Sequence, residues 1–193
     1  MVNKIQRILL VLLVGGLLIC SVFATTSFPD VDENALHAEA VEYLNEIGIM
    51  MGDENGNFNP NNTVTRAEMA TIICRMLGET GNLTADGNIF SDVSDEHWAN
   101  GYIFQAALLG IVSGYGDGNF GPEDIVTYEQ AVTMVVRTLG YENEANSAGG
   151  YPDGYLLIAQ NLDLLNRIDA KNGTPLDRKS VAIIIYNSYH SYV

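Results

Sequence analysis

The 193-residue chain repeats itself at a spacing of 62 positions: aligned without a gap, residues 28–78 and 90–140 are identical at 16 of 51 places. That self-similarity narrows the fold more than any other feature. A unit of roughly 50 residues that carries only two apolar helices cannot bury both of its faces alone, so neighbouring units must share a core. Each unit reads in the same order. A turn of pattern Phe-x-Asp-Val (Phe28, Asp30 and Val31; Phe90, Asp92 and Val93) opens it. A first helix follows, then a glycine-rich turn that closes on Phe58-Asn59-Pro60 or Phe120-Gly121-Pro122, and then a second helix.

The second helix is the best marked. Thr65 with Glu68, and Thr127 with Gln130, have the spacing of a capping box, in which the hydroxyl accepts from a free N–H of the first turn and the N3 side chain reaches back. A third copy begins at Leu176-Asp177-Arg178-Lys179-Ser180, with Asp177 a good N-cap and Ser180 a weaker reciprocal partner. Apolar runs follow all three. Helical spacing predicts the first helix of unit one from about Leu36 to Ile47, with Leu36, Ala40, Tyr43, Leu44 and Ile47 on one face. In unit two the equivalent face carries Trp98, Tyr102, Ala106 and Leu109, and Gly48 and Gly110 end the two helices. A third, eroded unit follows: Gly154-Tyr155-Leu156 resembles Gly101-Tyr102-Ile103, and Leu164 falls where Ile111 does. Residues 79–89 and 142–150 read as polar linkers. The expected fold class is all-α, three helix-turn-helix repeats (28–78, 90–140 and a divergent 149–193) forming one domain.

The first residues have a separate purpose. Lys4 and Arg7 precede an apolar run from Ile8 to Val22, and Val22-Phe23-Ala24 suits signal-peptidase cleavage after Ala24, so residues 1–24 read as a secretory signal. Bulky Ile19 disfavours a lipoprotein signal at Cys20, and the run is short of the roughly 20 residues of a comfortable membrane span. Cleavage takes the net charge from −15 to −17, a surface that argues against nucleic acid and anionic membranes. Cys74 is then the sole cysteine, which excludes an internal disulfide, and it reads as a buried small hydrophobe. The tyrosines Tyr151, Tyr155, Tyr186 and Tyr189 are expected in the core.

Several residues together carry a family resemblance: Phe90-Ser91-Asp92-Val93, His97-Trp98-Ala99, Gly110-Ile111, Asp117-Gly118-Asn119-Phe120-Gly121-Pro122 and Thr65-Arg66-Ala67-Glu68. The pattern resembles the S-layer homology (SLH) repeat of bacterial surface proteins, along nearly all of units one and two and in the helices of unit three. The resemblance implies a pseudo-threefold helical bundle, secreted to the cell wall or S-layer, which anchors non-covalently to a cell-wall polysaccharide, often one bearing pyruvate ketals. It also implies sites in grooves between units, with Arg66, Trp98 and Arg178 as glycan-binding residues. A guanidinium at a helix N-terminus suits a ketal carboxylate, and an indole offers a face to a sugar ring. No unit has the whole set: Leu36 stands in the tryptophan place of unit one, Tyr128 in the arginine place of unit two, and unit three has no tryptophan. Arg75 and Arg137, deeper in their helices, are expected to be indifferent to ligand.

Other motifs are weak. Asp53-x-Asn55-x-Asn57 lacks the glycine and the bidentate glutamate of a calcium loop, and Gly114-x-Gly116-x-Gly118 follows a helix rather than a strand. The three histidines have no ligand spacing. The expectation is a binding module with no catalysis, no cofactor and no metal, its partners a Gram-positive-type cell-wall polysaccharide and other surface-layer proteins. The alternative is a structural envelope protein that acts mainly through protein contacts.

Overall fold

The computed structural model describes residues 28–190 other than 80, 82, 86 and 88; the leader read at 1–24, with Cys20, lies outside them. Seven helices run among the described residues: α1 Ala38–Glu46, α2 Arg66–Met76, α3 Asn100–Leu108, α4 Tyr128–Thr138, α5 Glu142–Ser147, α6 Asp153–Asn161 and α7 Arg178–His190. The fold is all-α.

The caps expected at the second helices set where those helices start. The Glu68 N–H donates to Thr65 Oγ1 at 3.2 Å and the Thr65 N–H donates to Glu68 Oε2 at 2.7 Å. This full box stabilises α2 by about 1 kcal/mol. At Thr127 the arrangement recurs more loosely: its N–H donates to Gln130 Oε1 at 3.3 Å, while its buried hydroxyl has no partner within bonding distance among the described residues. Asp177 caps α7 by accepting from the Ser180 N–H at 3.0 Å.

Just before these helices, three short extended segments bond to one another in a closed ring. The Val126 N–H donates to Val64 O, the Leu176 N–H to Val126 O, and the Val64 N–H to Leu176 O, at 2.9, 3.1 and 3.0 Å. Val64, Val126 and Leu176 are each at most 2% exposed, so the ring is built inside the core. Each first helical N–H, an orphan within its own helix, is satisfied by a neighbouring unit: Arg66 by Asp124 O, Tyr128 by Thr174 O and Arg178 by Asn62 O.

The helices pack in the same cyclic sense. The second helix of one unit lies against the first helix of the next, α2 on α3 and α4 on α6, and the C-terminal α7 closes on the N-terminal α1. The two helices of a unit are therefore partners in sequence rather than in packing. This is the physical form of the shared core.

The opening turns hold the glycine-rich turns. Asp30 accepts from the Phe58 and Asn59 N–H groups at 2.8 and 2.7 Å, and Asp92 accepts from Phe120 and Gly121 at the same distances. Phe28 and Phe90 pack on Phe58 and Phe120, which are wholly buried. Glycine is required at Gly114, since a Cβ there would lie 2.3 Å from Asn119 O. Asp53 spends its carboxylate on the Asn55 and Asn57 N–H groups and the Asn59 amide, which accounts for the Asp-x-Asn-x-Asn pattern as a turn.

Several expectations are corrected. Leu36 and Trp98 precede α1 and α3 rather than joining their buried faces, and are 71% and 58% exposed. Ile47 and Leu109, beyond the helix ends, are also exposed, and the buried places are taken by Val41 and Ile103. Residues 142–147 of the second linker form α5, whose buried Ala145 packs so closely on α6 that a Cβ on Gly154 would lie 2.0 Å from Ala145 O. Tyr155 is in the core and Tyr186 is half-buried, but Tyr151 and Tyr189 are exposed. Cys74 is buried, and burial pushes its thiol up to about 11.

Candidate functional site

Capping does not require arginine at the first position of α2 or α7, and the structure shows what the arginines do there. Arg66 is 4% exposed and reaches into the glycine-rich turn of the next unit, where Nε donates to Phe120 O at 2.8 Å and Nη2 to Ser113 O at 2.9 Å. Its guanidinium lies 4.5 Å from the centre of the Phe120 ring and 4.8 Å from that of Tyr115. Arg178 does the same to unit one: Nε donates to Phe58 O at 2.7 Å and Nη2 to Met51 O at 2.9 Å, with the Phe58 ring 4.7 Å away. Desolvation lowers both guanidinium pKa values, opposed by nearby carboxylates. In each fork Nη1 keeps its donors, with no protein bond among the described residues.

Two cavities lie beside these clamps, and every wall residue of the narrower has its counterpart in the wider, which adds Gly114 and Tyr115. The wider, about 300 Å³, is lined by Arg66 from unit one, by Ile111–Tyr115 and the α4 residues Gln130, Thr133, Met134 and Arg137 from unit two, and by Tyr151 from unit three. The narrower, about 170 Å³, is lined by Arg178 from unit three, by Ile49–Met51 and the α2 residues Glu68, Thr71, Ile72 and Arg75 from unit one, and by Trp98 from unit two. Each groove thus combines two arginines from different units with one aromatic from a third.

The predicted site residues are distributed accordingly. Arg178 and Trp98 share the narrow groove, and Arg66 stands in the wide one. Arg75 and Arg137, for which indifference to ligand is expected, stand at the same grooves. Both line the cavities, and their Nη1 groups reach Ile49 O at 3.4 Å and Ile111 O at 3.3 Å. Arg137 is also paired with Glu142, Nε to Oε1 at 3.1 Å. Tyr151 was missed, although the match of Gly154 with Gly101 places it opposite Trp98; it is 56% exposed.

The third interface lacks this chemistry. Tyr128, 8% exposed, takes the arginine place, and the cavity beside it, about 440 Å³, is lined further by Gln160, Asp163, Leu165 and Asn166. Asn187 stands where Arg75 and Arg137 do, its amide donating to Leu164 O and Asn166 O, both at 3.0 Å. Leu36 occupies the sequence position that matches Trp98. Tyr128 stands where the other two grooves have an arginine, and residues 160–175 beside it contain no Phe-x-Pro turn for an arginine to hold.

Among the described residues, no helix is long and apolar enough to cross a membrane, and no group of three or more His, Cys, Asp or Glu side chains is placed to hold a metal.

Residues 27–70 and 89–132 match the S-layer homology domain. The chain is 35% identical over 165 residues to a cell surface protein of Thermoanaerobacter kivui, covering 84% of the chain and 21% of that protein. It is 37% identical over 150 residues to a surface layer protein of Brevibacillus choshinensis, covering 77% of the chain and 13% of that protein. With a cellulosome-anchoring protein of Acetivibrio thermocellus it shares 28% identity over 118 residues, 60% of the chain and 26% of that protein. The chain spans about a quarter or less of the length of these relatives.

Proposed function

Residues 27–70 and 89–132 match the S-layer homology domain, and from that premise we propose that the chain is a secreted, non-catalytic module of the cell wall or S-layer that holds an acidic wall polysaccharide in its two arginine-lined grooves. Residues 149–193 act as a third, divergent repeat that completes the bundle and supplies Arg178 and Tyr151 to the grooves. The observation that carries this reading is the placement of positive charge. A chain with 24 acidic residues has seven basic ones between residues 28 and 190, and four of these, Arg66, Arg75, Arg137 and Arg178, line the two grooves.

The chemistry fits a pyruvate ketal on a sugar. Its carboxylate meets the remaining Nη1 donors of Arg66 or Arg178, and Tyr151 or Trp98 gives an apolar face to the ring. Contacts this close survive physiological salt, where fields between exposed charges fade over about 8 Å. That is how an acidic protein holds an acidic polymer. The names of the relatives, surface-layer and anchoring proteins among them, agree with a role at the wall.

Co-sedimentation of residues 25–193 with purified Gram-positive walls, before and after chemical removal of the secondary polysaccharide, tests the reading. Binding that disappears with the polysaccharide is the expected result. Binding that persists on stripped walls, or self-assembly without walls, would instead favour an envelope protein working through protein contacts.

A further inference from the structure

The two grooves differ in charge at one matched wall position, and the glycine-rich turns beside them differ at another. Where the narrow groove has Glu68, the wide one has Gln130, and where the glycine-rich turn of unit one has Asp53, that of unit two has Tyr115. Position 68/130 matters more, because it is a wall of both grooves. The two side chains make the same cap bond, to the N–H of Thr65 or Thr127. What is left over differs. Glu68 brings a carboxylate whose Oε1 has no hydrogen bond among the described residues, whereas Gln130 brings an amide nitrogen with two donors.

The surroundings of the arginines follow suit. The acidic groups acting on Arg178 are Glu68 first, then Asp30 and Asp53. Those around Arg66 are the neutral phenol of Tyr115, then Asp124 and Asp92, then Tyr151. Glu142 also adds a negative charge near the wide groove, but it holds the Nε edge of Arg137 from α5 and is not part of the wall.

Resting on the glycan-binding reading above, we propose that position 68/130 makes the grooves unequal: the wide groove, with Gln130, is the tight site for the ketal carboxylate, and the narrow groove, with Glu68, holds the same sugar more weakly and mainly through its hydroxyls. In the wide groove the carboxylate meets Arg66, Arg137 and an amide donor. In the narrow groove it must approach a fixed carboxylate that already offsets Arg178, while Oε1 of Glu68 is free to accept from a sugar hydroxyl. One chain thereby grips a polymer of mixed acidic and neutral sugars at two points, which raises its hold on the polymer beyond either site alone.

The test uses calorimetry of residues 25–193 with the methyl glycoside of a hexosamine carrying a 4,6-pyruvate ketal, and with the same glycoside without the ketal. Both substitutions keep a capping-box side chain, so the variants fold. Wild type should show a tight and a weak class of sites for the ketal. Gln130→Glu should weaken the tight class about tenfold, the order expected of one added charge beside a partly solvated site. Glu68→Gln should tighten the weak class by a similar factor, bringing the two together. Ketal binding whose two affinities ignore both substitutions would overturn the inequality and leave the glycan reading standing. Absence of any ketal binding by the wild type would remove that reading and the inference with it.

Discussion

Deleting residues 149–193 should abolish the cooperative thermal transition of everything that remains. The deletion takes away α6, on which α4 packs, and α7, on which α1 packs, and it opens the backbone ring by removing Leu176 from between Val126 and Val64. It also removes Arg178, which holds the Phe58 turn of unit one. Exposing only four fully buried side chains on α1 and α4, of the kind of Val41, Leu44, Val132 and Val135, costs roughly 6–12 kcal/mol. Domains of this size are stable by about 5–15 kcal/mol, so little or nothing would be left. Calorimetry and far-UV circular dichroism of residues 25–148 give the answer. A cooperative transition at the wild-type temperature would show that units one and two form a core of their own.

Arg66→Ala is the single substitution with the largest expected effect on stability. It removes two charge-assisted hydrogen bonds, each worth roughly 1.5–3 kcal/mol, and leaves the Phe120 and Ser113 carbonyls without their donors. The stacking of the guanidinium on Phe120 and Tyr115 is lost with them. A loss of about 3–5 kcal/mol is expected, which in a domain of this length lowers the melting temperature by roughly 10 °C or more. Arg66→Lys should fall between, since an ammonium cannot reproduce the fork. Arg178→Ala should cost less than Arg66→Ala, because its side chain is less deeply buried. A melting temperature within about 2 °C of wild type for Arg66→Ala would mean that the clamp contributes nothing. Arg66→Lys is therefore a poor probe of glycan recognition, since its effect on folding and its effect on binding coincide.

The parts of this fold that are local were legible in the residues. Thr65-x-x-Glu68 states where α2 begins, and the 62-residue repeat states that the units share a core. The long-range parts were not. Arg66 finds its carbonyls 47 and 54 residues away, and Arg178 finds its own 120 and 127 away, across the closure of the ring, so no local pattern reveals that both arginines support the fold before they can serve a ligand. Helical spacing put Trp98 on a buried face because it assumes the helix has already begun, whereas α3 starts at Asn100 and leaves the indole in solvent. Arg75 and Arg137 were visible as identical positions in the repeat, but their depth in the helix hid that α2 and α4 form the floor of the grooves.

Trp98 and Tyr151 are the wall residues that can be removed with least harm to folding, since more than half of each side chain is in solvent. Calorimetry of Trp98→Ala, Tyr151→Ala and the double variant, titrated with a pyruvylated wall-polysaccharide fragment and paired with melting curves, therefore tests the central claim most directly. Each single variant should weaken one class of sites about tenfold or more, as expected of a central aromatic contact, and the double variant should weaken both classes by the same factor, all with melting temperatures close to wild type. A folded double variant that binds the fragment as tightly as wild type would contradict the claim that the two inter-unit grooves hold the glycan.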